Sequence, residues 1–470
     1  MTAAPDAPLS AALAVPSLLT RESRSIACEA RYATPARRPS HAFQIADATT
    51  RGMEGRATTR DEAGACVFSY ITRMSWWSRF RRPQPRVTSP VRRCGLVVPS
   101  LGSGGLEEVV ATLATELPKL GYETMVLCTH AGGAVEARLR HQGVSVTVAD
   151  GSAAQWRAWA KAARPDVLST HFVSHAAMEV LARFAPAVET VHNTYVWLSA
   201  KEWELERDKC AAAAAVVAVS DLVASYHRRA LSGRDARVIP NGVRDDRLVE
   251  IEQAMARERL GCGADDVVLV QTGRFCIQKN QRGLVEALTP MLEDDRRLRL
   301  LLVGGHDDRA YVKSVHDCAP KLAASARIQL LPATADVAAI LSAADAFIAN
   351  SFFEGWSLAA TEALWLGRPV IVSDTGGSRE QTGANGERGV VVPNPGGAAD
   401  TLRWEDVLRP SEEASERNRR ALQSAVRAFV EDRRGWEGRR EAIRHEARLR
   451  WSATQMATSY ADVFRDVDRV

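Results

Sequence analysis

Residues 350–381 read NSFFEGWSLAATEALWLGRPVIVSDTGGSREQ, and their pattern decides the fold. Just upstream, Ala344-Asp345-Ala346-Phe347-Ile348-Ala349 predicts a short buried strand. Residues 351–357 form a loop of small, aromatic and acidic side chains. Ser357 can accept a hydrogen bond from a free N–H of a first helical turn, which predicts an N-cap for a helix over 358–366. Gly367 and Pro369 stop that helix, because glycine adopts the left-handed cap and proline cannot continue the turn. A second apolar run, Val370-Ile371-Val372, ends in the turn Gly376-Gly377. Strand–loop–helix–strand is the unit of a parallel sheet, whose ligands sit at the carboxyl ends of the strands.

Two carboxylates mark this unit: Glu354 in the loop and Glu362 in the helix. One reading makes them a loop acid and a solvated helix acid. The other makes them ligand-binding groups. Glu362 has Ala359, Ala360, Ala363 and Leu364 around it, so its turn is apolar on most sides. A carboxylate there is costly without partners, and sugar hydroxyls are good donors to it.

Further blocks occur in order. A strand at 94–99 opens into Leu101-Gly102-Ser103-Gly104-Gly105-Leu106-Glu107 and a helical pattern over 109–120. Glycines let backbone approach a ligand, and the helix start offers unpaired N–H groups. Glu107 stands where a dinucleotide G-x-G-x-x-G needs its last glycine, which disfavours a dehydrogenase. VIPNGV occupies 238–243 and reads as an extended segment closing in a turn, with Arg244 preceding Asp245. A strand at 267–271 then leads to Gly273-Arg274-Phe275 and Gln278-Lys279-Asn280, with a helix over 282–288. Two cations at a strand's carboxyl end suit a diphosphate, although solvated loop cations are the commoner fate of Arg and Lys.

With these blocks in place, residues 91–470 resemble the family 4 (group 1) retaining glycosyltransferases. That family pairs E-x7-E with a later glycine turn, matched here by Glu354, Glu362 and Gly376-Gly377. The resemblance implies an α/β protein of the GT-B fold, two Rossmann-like domains facing across a cleft. It implies an acceptor domain at 91–244, a nucleotide-sugar domain at 245–449 and a closing helix at 450–470. Arg274 and Lys279 are then expected on the donor pyrophosphate, Glu362 on the ribose and Glu354 on the donor sugar. The backbone at Gly355, Ser357 and Leu358 is expected near them, and Gly104 and Gly105 at the cleft. His171, which ends a strand at 165–171, matches the family histidine beside the reacting centre; His192, which ends a strand at 188–191, is the reserve. The loop Gly304-Gly305-His306 departs from the family's usual G-x-G-P, and Pro332 stands where the base pocket is expected, which leaves UDP- and GDP-linked donors both open.

Composition bounds the function classes. The chain has 470 residues, 46% of them hydrophobic, enough for two or three domains with real cores. Net charge is only +4, which argues against nucleic acid as the main partner. Residues 1–90 carry 13 Arg, no Lys and seven acids, with no sustained period, and read as a disordered basic extension or as sequence upstream of a start at Met74. Within it, residues 76–82 combine aromatic and basic side chains in a way that suits peripheral contact with a membrane surface, as well as a short disordered tail. Eight scattered cysteines without C-x-x-C suggest reduced thiols in a cytoplasmic protein. His171 and His175 have i, i+4 spacing but no intervening Glu of H-E-x-x-H, and Asp466-Val467-Asp468 lies in the terminal helix, so no metal is expected.

The leading expectation is therefore a metal-independent retaining glycosyltransferase without a cofactor. Its donor is a nucleotide-diphosphate sugar and its acceptor a glycan, a lipid-linked or a small molecule. The alternatives are a nucleotide-sugar epimerase of the same fold and a non-catalytic glycan-binding protein.

Overall fold

Strands buried on both faces read as unbroken apolar runs, and helices must then cover each face. The computed structural model, which describes residues 91–306 and 308–467, shows two such sheets. The first contains β1 (Arg92–Ser100), β2 (Tyr122–Ala131), β3 (Ser145–Val148), β4 (Val167–His171), β5 (Ala187–Val191), β6 (Ala215–Ala218) and β7 (Arg237–Val238). Their spatial order is β3-β2-β1-β4-β5-β6-β7, with every pairing parallel. The second contains β8 (Val267–Thr272), β9 (Leu298–Gly304), β10 (Ile328–Pro332), β11 (Ala346–Ala349), β12 (Val370–Ser373) and β13 (Gly389–Val392). It is also all parallel, in the order β10-β9-β8-β11-β12-β13. Each order reverses once, at β1/β4 and at β8/β11. A crevice opens at such switch points, because the two connections leave on opposite faces of the sheet.

The stretch at 350–381 folds as its pattern predicts. Its helix spans Leu358–Trp365, and Ser357 Oγ accepts from the Ala360 N–H at 3.2 Å. Gly367 closes it in the left-handed region at φ +72°. The apolar run 210–219 is divided between two elements: the helix Ala200–Ala212 runs through Cys210, β6 is confined to Ala215–Ala218, and β7 follows it. Alanine is the strongest helix former, so the run Ala211-Ala212 prolongs the helix instead of starting the strand.

The last helix, Ala453–Val467, packs on the first sheet, although it follows the second in sequence. Tyr460 Oη and Thr190 Oγ1 are 3.1 Å apart, and the Phe464 ring meets Tyr122 edge-on at 5.8 Å. Val243 of the VIPNGV segment exchanges backbone hydrogen bonds of 2.8 Å with Trp451 and Ala453. The two chain crossings between the halves are thereby tied together. Asp466 pairs with Arg237 at 2.9 Å, which accounts for its charge locally. Asp468, the basic extension, residues 76–82 and Met74 lie outside the described residues. Among the described residues, no helix is long and apolar enough to cross a membrane.

Candidate active site

The carboxyl edge of the second sheet gathers the charged residues singled out above. Between β8 and its following helix, Lys279 closes a short 3-10 turn. Its backbone carbonyl is held by Gln271 Nε2 at 3.1 Å, and the Arg274 carbonyl by Gln281 Nε2 at 2.8 Å. This loop is clamped to the one after β11: the Phe352 N–H donates to the Gln278 carbonyl (2.9 Å), and Gln278 Nε2 donates to the Phe353 carbonyl (3.0 Å). The clamp fixes Lys279 against Glu354, with Nζ 2.5 Å from Oε1. Ser351 Oγ donates to the same carboxylate at 2.8 Å, and Thr375 Oγ1 accepts the Glu354 backbone N–H at 2.9 Å. Glu354 and Lys279 are thus a largely buried pair whose charges offset each other.

Glu362, one and a half turns into its helix, is 5% exposed. Burial pushes its carboxyl up from the ordinary range; Arg247, at 3.3 Å, pulls it back, and Glu108 adds a smaller upward push. Arg247 also reaches Glu108 at 3.0 Å, and Glu108 is held in a two-pronged bond by Arg138 (3.0 and 2.7 Å). One guanidinium therefore bridges the helix after the glycine loop and the helix that carries Glu362. The sequence reading stopped at Arg244 and missed Arg247. The only signal was a second cation just beyond the VIPNGV turn, after Arg244.

The glycine loop of the first half faces this edge. Gly105 faces the start of the Leu358 helix, where a Cβ on it would make ordinary contact with Leu358 Cδ1 at 3.6 Å. Glu107 folds back over Gly104; burial pushes its carboxyl up, while the peptide N–H and Arg274 across the cleft oppose this. His171, at the end of β4, is fully buried. Its Nδ1 is 2.9 Å from Nε2 of His192, which is half-buried. The His192 carbonyl abuts the donor loop: a Cβ on Gly355 would sit 1.7 Å from it. The two histidine candidates thus touch each other, and the reserve residue, His192, is the one in contact with the Glu354 loop.

Residues 103–247 match the family described as Glycosyltransferase Family 4, and residues 266–404 match Glycosyl transferases group 1. The chain belongs to the family 4, group 1 glycosyltransferases. Among curated relatives, a D-inositol 3-phosphate glycosyltransferase of Streptomyces bingchenggensis is 25% identical over 404 residues, 75% of this chain and 87% of the relative. The phosphatidyl-myo-inositol mannosyltransferase of Mycobacterium leprae is 31% identical over 194 residues, 41% of this chain and 48% of the relative. The chain spans about half the length of several of the curated relatives it matches. Its fold is GT-B. A glycosyltransferase of Rickettsia africae has a TM-score of 0.66 at 18% identity, covering 80% of this chain and 98% of that one. Anabaena Alr3699/HepE, solved with UDP and glucose, has a TM-score of 0.63 at 20% identity, covering 79% and 99%.

Arg247→Met tests the bridge. Without the guanidinium, burial acts on Glu362 unopposed, so its carboxyl titrates at higher pH. Nucleoside diphosphate affinity should then begin to fall at higher pH on acidification than in the parent, as calorimetric titration across pH would show. An unchanged pH dependence would mean that Arg247 does not hold the Glu362 charge.

Proposed function

We propose that the protein is a retaining, metal-independent transferase that moves a sugar from a nucleotide-diphosphate donor to a glycan, lipid-linked or small-molecule acceptor. The Lys279–Glu354 pair carries this reading. A carboxylate for sugar hydroxyls and an ammonium for a leaving diphosphate stand in contact at the switch point of a parallel sheet. On donor binding, Lys279 exchanges Glu354 for the diphosphate, Glu354 turns to the sugar hydroxyls, and Glu362 takes the ribose. Arg274, facing the glycine loop, adds a second positive charge for the leaving group. Charge neutralised by Arg and Lys needs no metal ion, because both supply strong charge-assisted bonds to phosphate. Gly355, Ser357 and Leu358 lend the backbone around the sugar, and Gly104 and Gly105 close the opposite wall. His192 is the histidine offered to the reacting centre, with His171 behind it. The complex of Anabaena Alr3699/HepE with UDP and glucose supports testing UDP-linked sugars first, with GDP-linked sugars as the comparison. The acceptor domain at 91–244 and the donor domain at 245–449 belong to the same proposal.

The test is a thermal-shift series with nucleoside diphosphates, followed by transfer assays with the sugars of whichever nucleotide stabilises the protein, with and without EDTA. Stabilisation by one diphosphate is expected because a ligand that binds only the native state raises its stability. Transfer that survives EDTA, with the donor's anomeric configuration in the product, supports the proposal. Conversion of the donor to an epimer without acceptor would overturn it in favour of an isomerase. Arg274→Ala should weaken diphosphate binding by about 1.5–3 kcal/mol while sparing the nucleoside. Equal affinity for the diphosphate in variant and parent would remove Arg274 from the leaving-group site.

A further inference from the structure

The contact between His171 and His192 continues inward. Ser169 Oγ lies 3.0 Å from His171 Nε2, and both residues are fully buried on the same face of β4. Ser169 Oγ has no other hydrogen-bond partner among the described residues. A buried hydroxyl that donates to nothing costs more than an idle lone pair, so its proton belongs on the line to His171 Nε2. His171 Nε2 is then an acceptor, and the proton of the neutral ring sits on Nδ1. That N–H donates to His192 Nε2, 2.9 Å away. His192 Nε2 is in turn an acceptor, and its own proton is left on Nδ1, which no residue among those described engages.

We infer that Ser169, His171 and His192 form a hydrogen-bond relay that holds the His192 proton on Nδ1, so that this N–H is presented as a donor to a sugar hydroxyl oxygen. The inference rests on the transferase reading of the cleft and deepens it. His192 becomes a residue that binds substrate, and His171 a positioning residue that never touches it. In this tautomer His192 cannot accept a proton from the acceptor through its outer nitrogen. Charge does not blur the assignment, because burial holds both rings well below the ordinary histidine range. Desolvation lowers His192 to about 3, with the Lys209 ammonium adding to the effect, and His171 is further lowered by His192 itself. Lys209 is locked between Glu189 (2.9 Å) and Glu206 (2.8 Å), and the Tyr460 ring, 6.3 Å from His171, brings no charge of its own. Across the neutral range the variable is therefore the tautomer.

Histidine ring nitrogens report their tautomer directly in two-bond proton–nitrogen spectra of protein labelled with 15N-histidine. The His192 signals are assigned by their loss in His192→Gln. In the parent, His192 is expected with its proton on Nδ1. His171→Asn places an amide N–H near the lost Nδ1 and should keep that tautomer. His171→Leu removes the donor, and His192 should revert to the Nε2–H form that an unconstrained histidine favours. Turnover should fall about tenfold in His171→Leu and largely return in His171→Asn, with donor KM little changed. A His192 proton on Nε2 in the parent, or an unchanged tautomer in His171→Leu, overturns the relay. If His171→Leu fails to fold, the parent and His171→Asn spectra still decide. A parent that shows the Nδ1 tautomer yet transfers no sugar keeps the relay and sinks the transferase reading instead.

Discussion

Lys279→Ala is expected to remove nearly all transfer. Lys279 Nζ lies 2.5 Å from Glu354 Oε1, and both side chains are largely withdrawn from solvent. The substitution acts twice. In the proposed role it deletes a positive charge from beside the leaving diphosphate, an effect worth about 10²–10³-fold in kcat when a preorganised donor is lost. It also strands Glu354 without its counter-charge, and breaking such a buried pair costs about 3 kcal/mol of folding stability. The two effects separate in the double variant Lys279→Ala with Glu354→Gln. Removing the orphaned charge should restore much of the melting temperature and none of the activity. Comparing thermal unfolding with donor turnover in the single and double variants reads both. Near-normal turnover in Lys279→Ala would take the residue out of the leaving-group site altogether.

The second large effect comes from a position with no side chain. Gly355 lies between the Glu354 carboxylate and the start of the Leu358 helix, and its missing Cβ is what allows the two halves to meet. A methyl group there would lie 1.7 Å from the His192 carbonyl oxygen and 3.0 Å from Val219 Cγ2. The first contact is with backbone at the end of β5, which cannot swing aside as a side chain would. Gly355→Ala must therefore push the donor loop away from the first half by an ångström or more. Misplacement on that scale costs about 10²-fold in rate when the displaced group carries the chemistry. Each half can keep its own core while the cleft widens, so the loss of stability should stay within about 1–3 kcal/mol, as for other overpacked sites. Transfer assays and chemical denaturation of the variant provide the comparison. Full activity would show that catalysis does not require this close approach. Glycine's freedom from a Cβ clash, not a special backbone angle, is the reason for its presence here, since Gly355 is absent from the positive-φ residues.

Much of this was legible in the residues alone. The period of the apolar runs, Ser357 as a cap and Gly367 as a stop each depend on a few consecutive side chains. They therefore gave a strand–loop–helix–strand unit that the fold keeps, with the helix at Leu358–Trp365. The E-x7-E spacing, the glycine loop and the two cations after β8 were visible for the same reason: each is a local pattern. Residues 210–219 were not legible in this way, because a run of small apolar residues satisfies helix and strand alike and packing had to choose.

What only the tertiary structure decided is which charge answers which. Glu354 meets Lys279 across 75 residues of sequence, and Glu362 meets Arg247 across more than a hundred. No local period encodes such pairs; the first exists because the loops after β8 and β11 are brought to one sheet edge, the second because the segment between the halves passes over the helix that carries Glu362. The same holds for His171 and His192, which sit on neighbouring strands 21 residues apart and bond only because β4 and β5 run in register. Sequence could name two histidines, but burial and a backbone contact assign one to the inside and the other to the Glu354 loop.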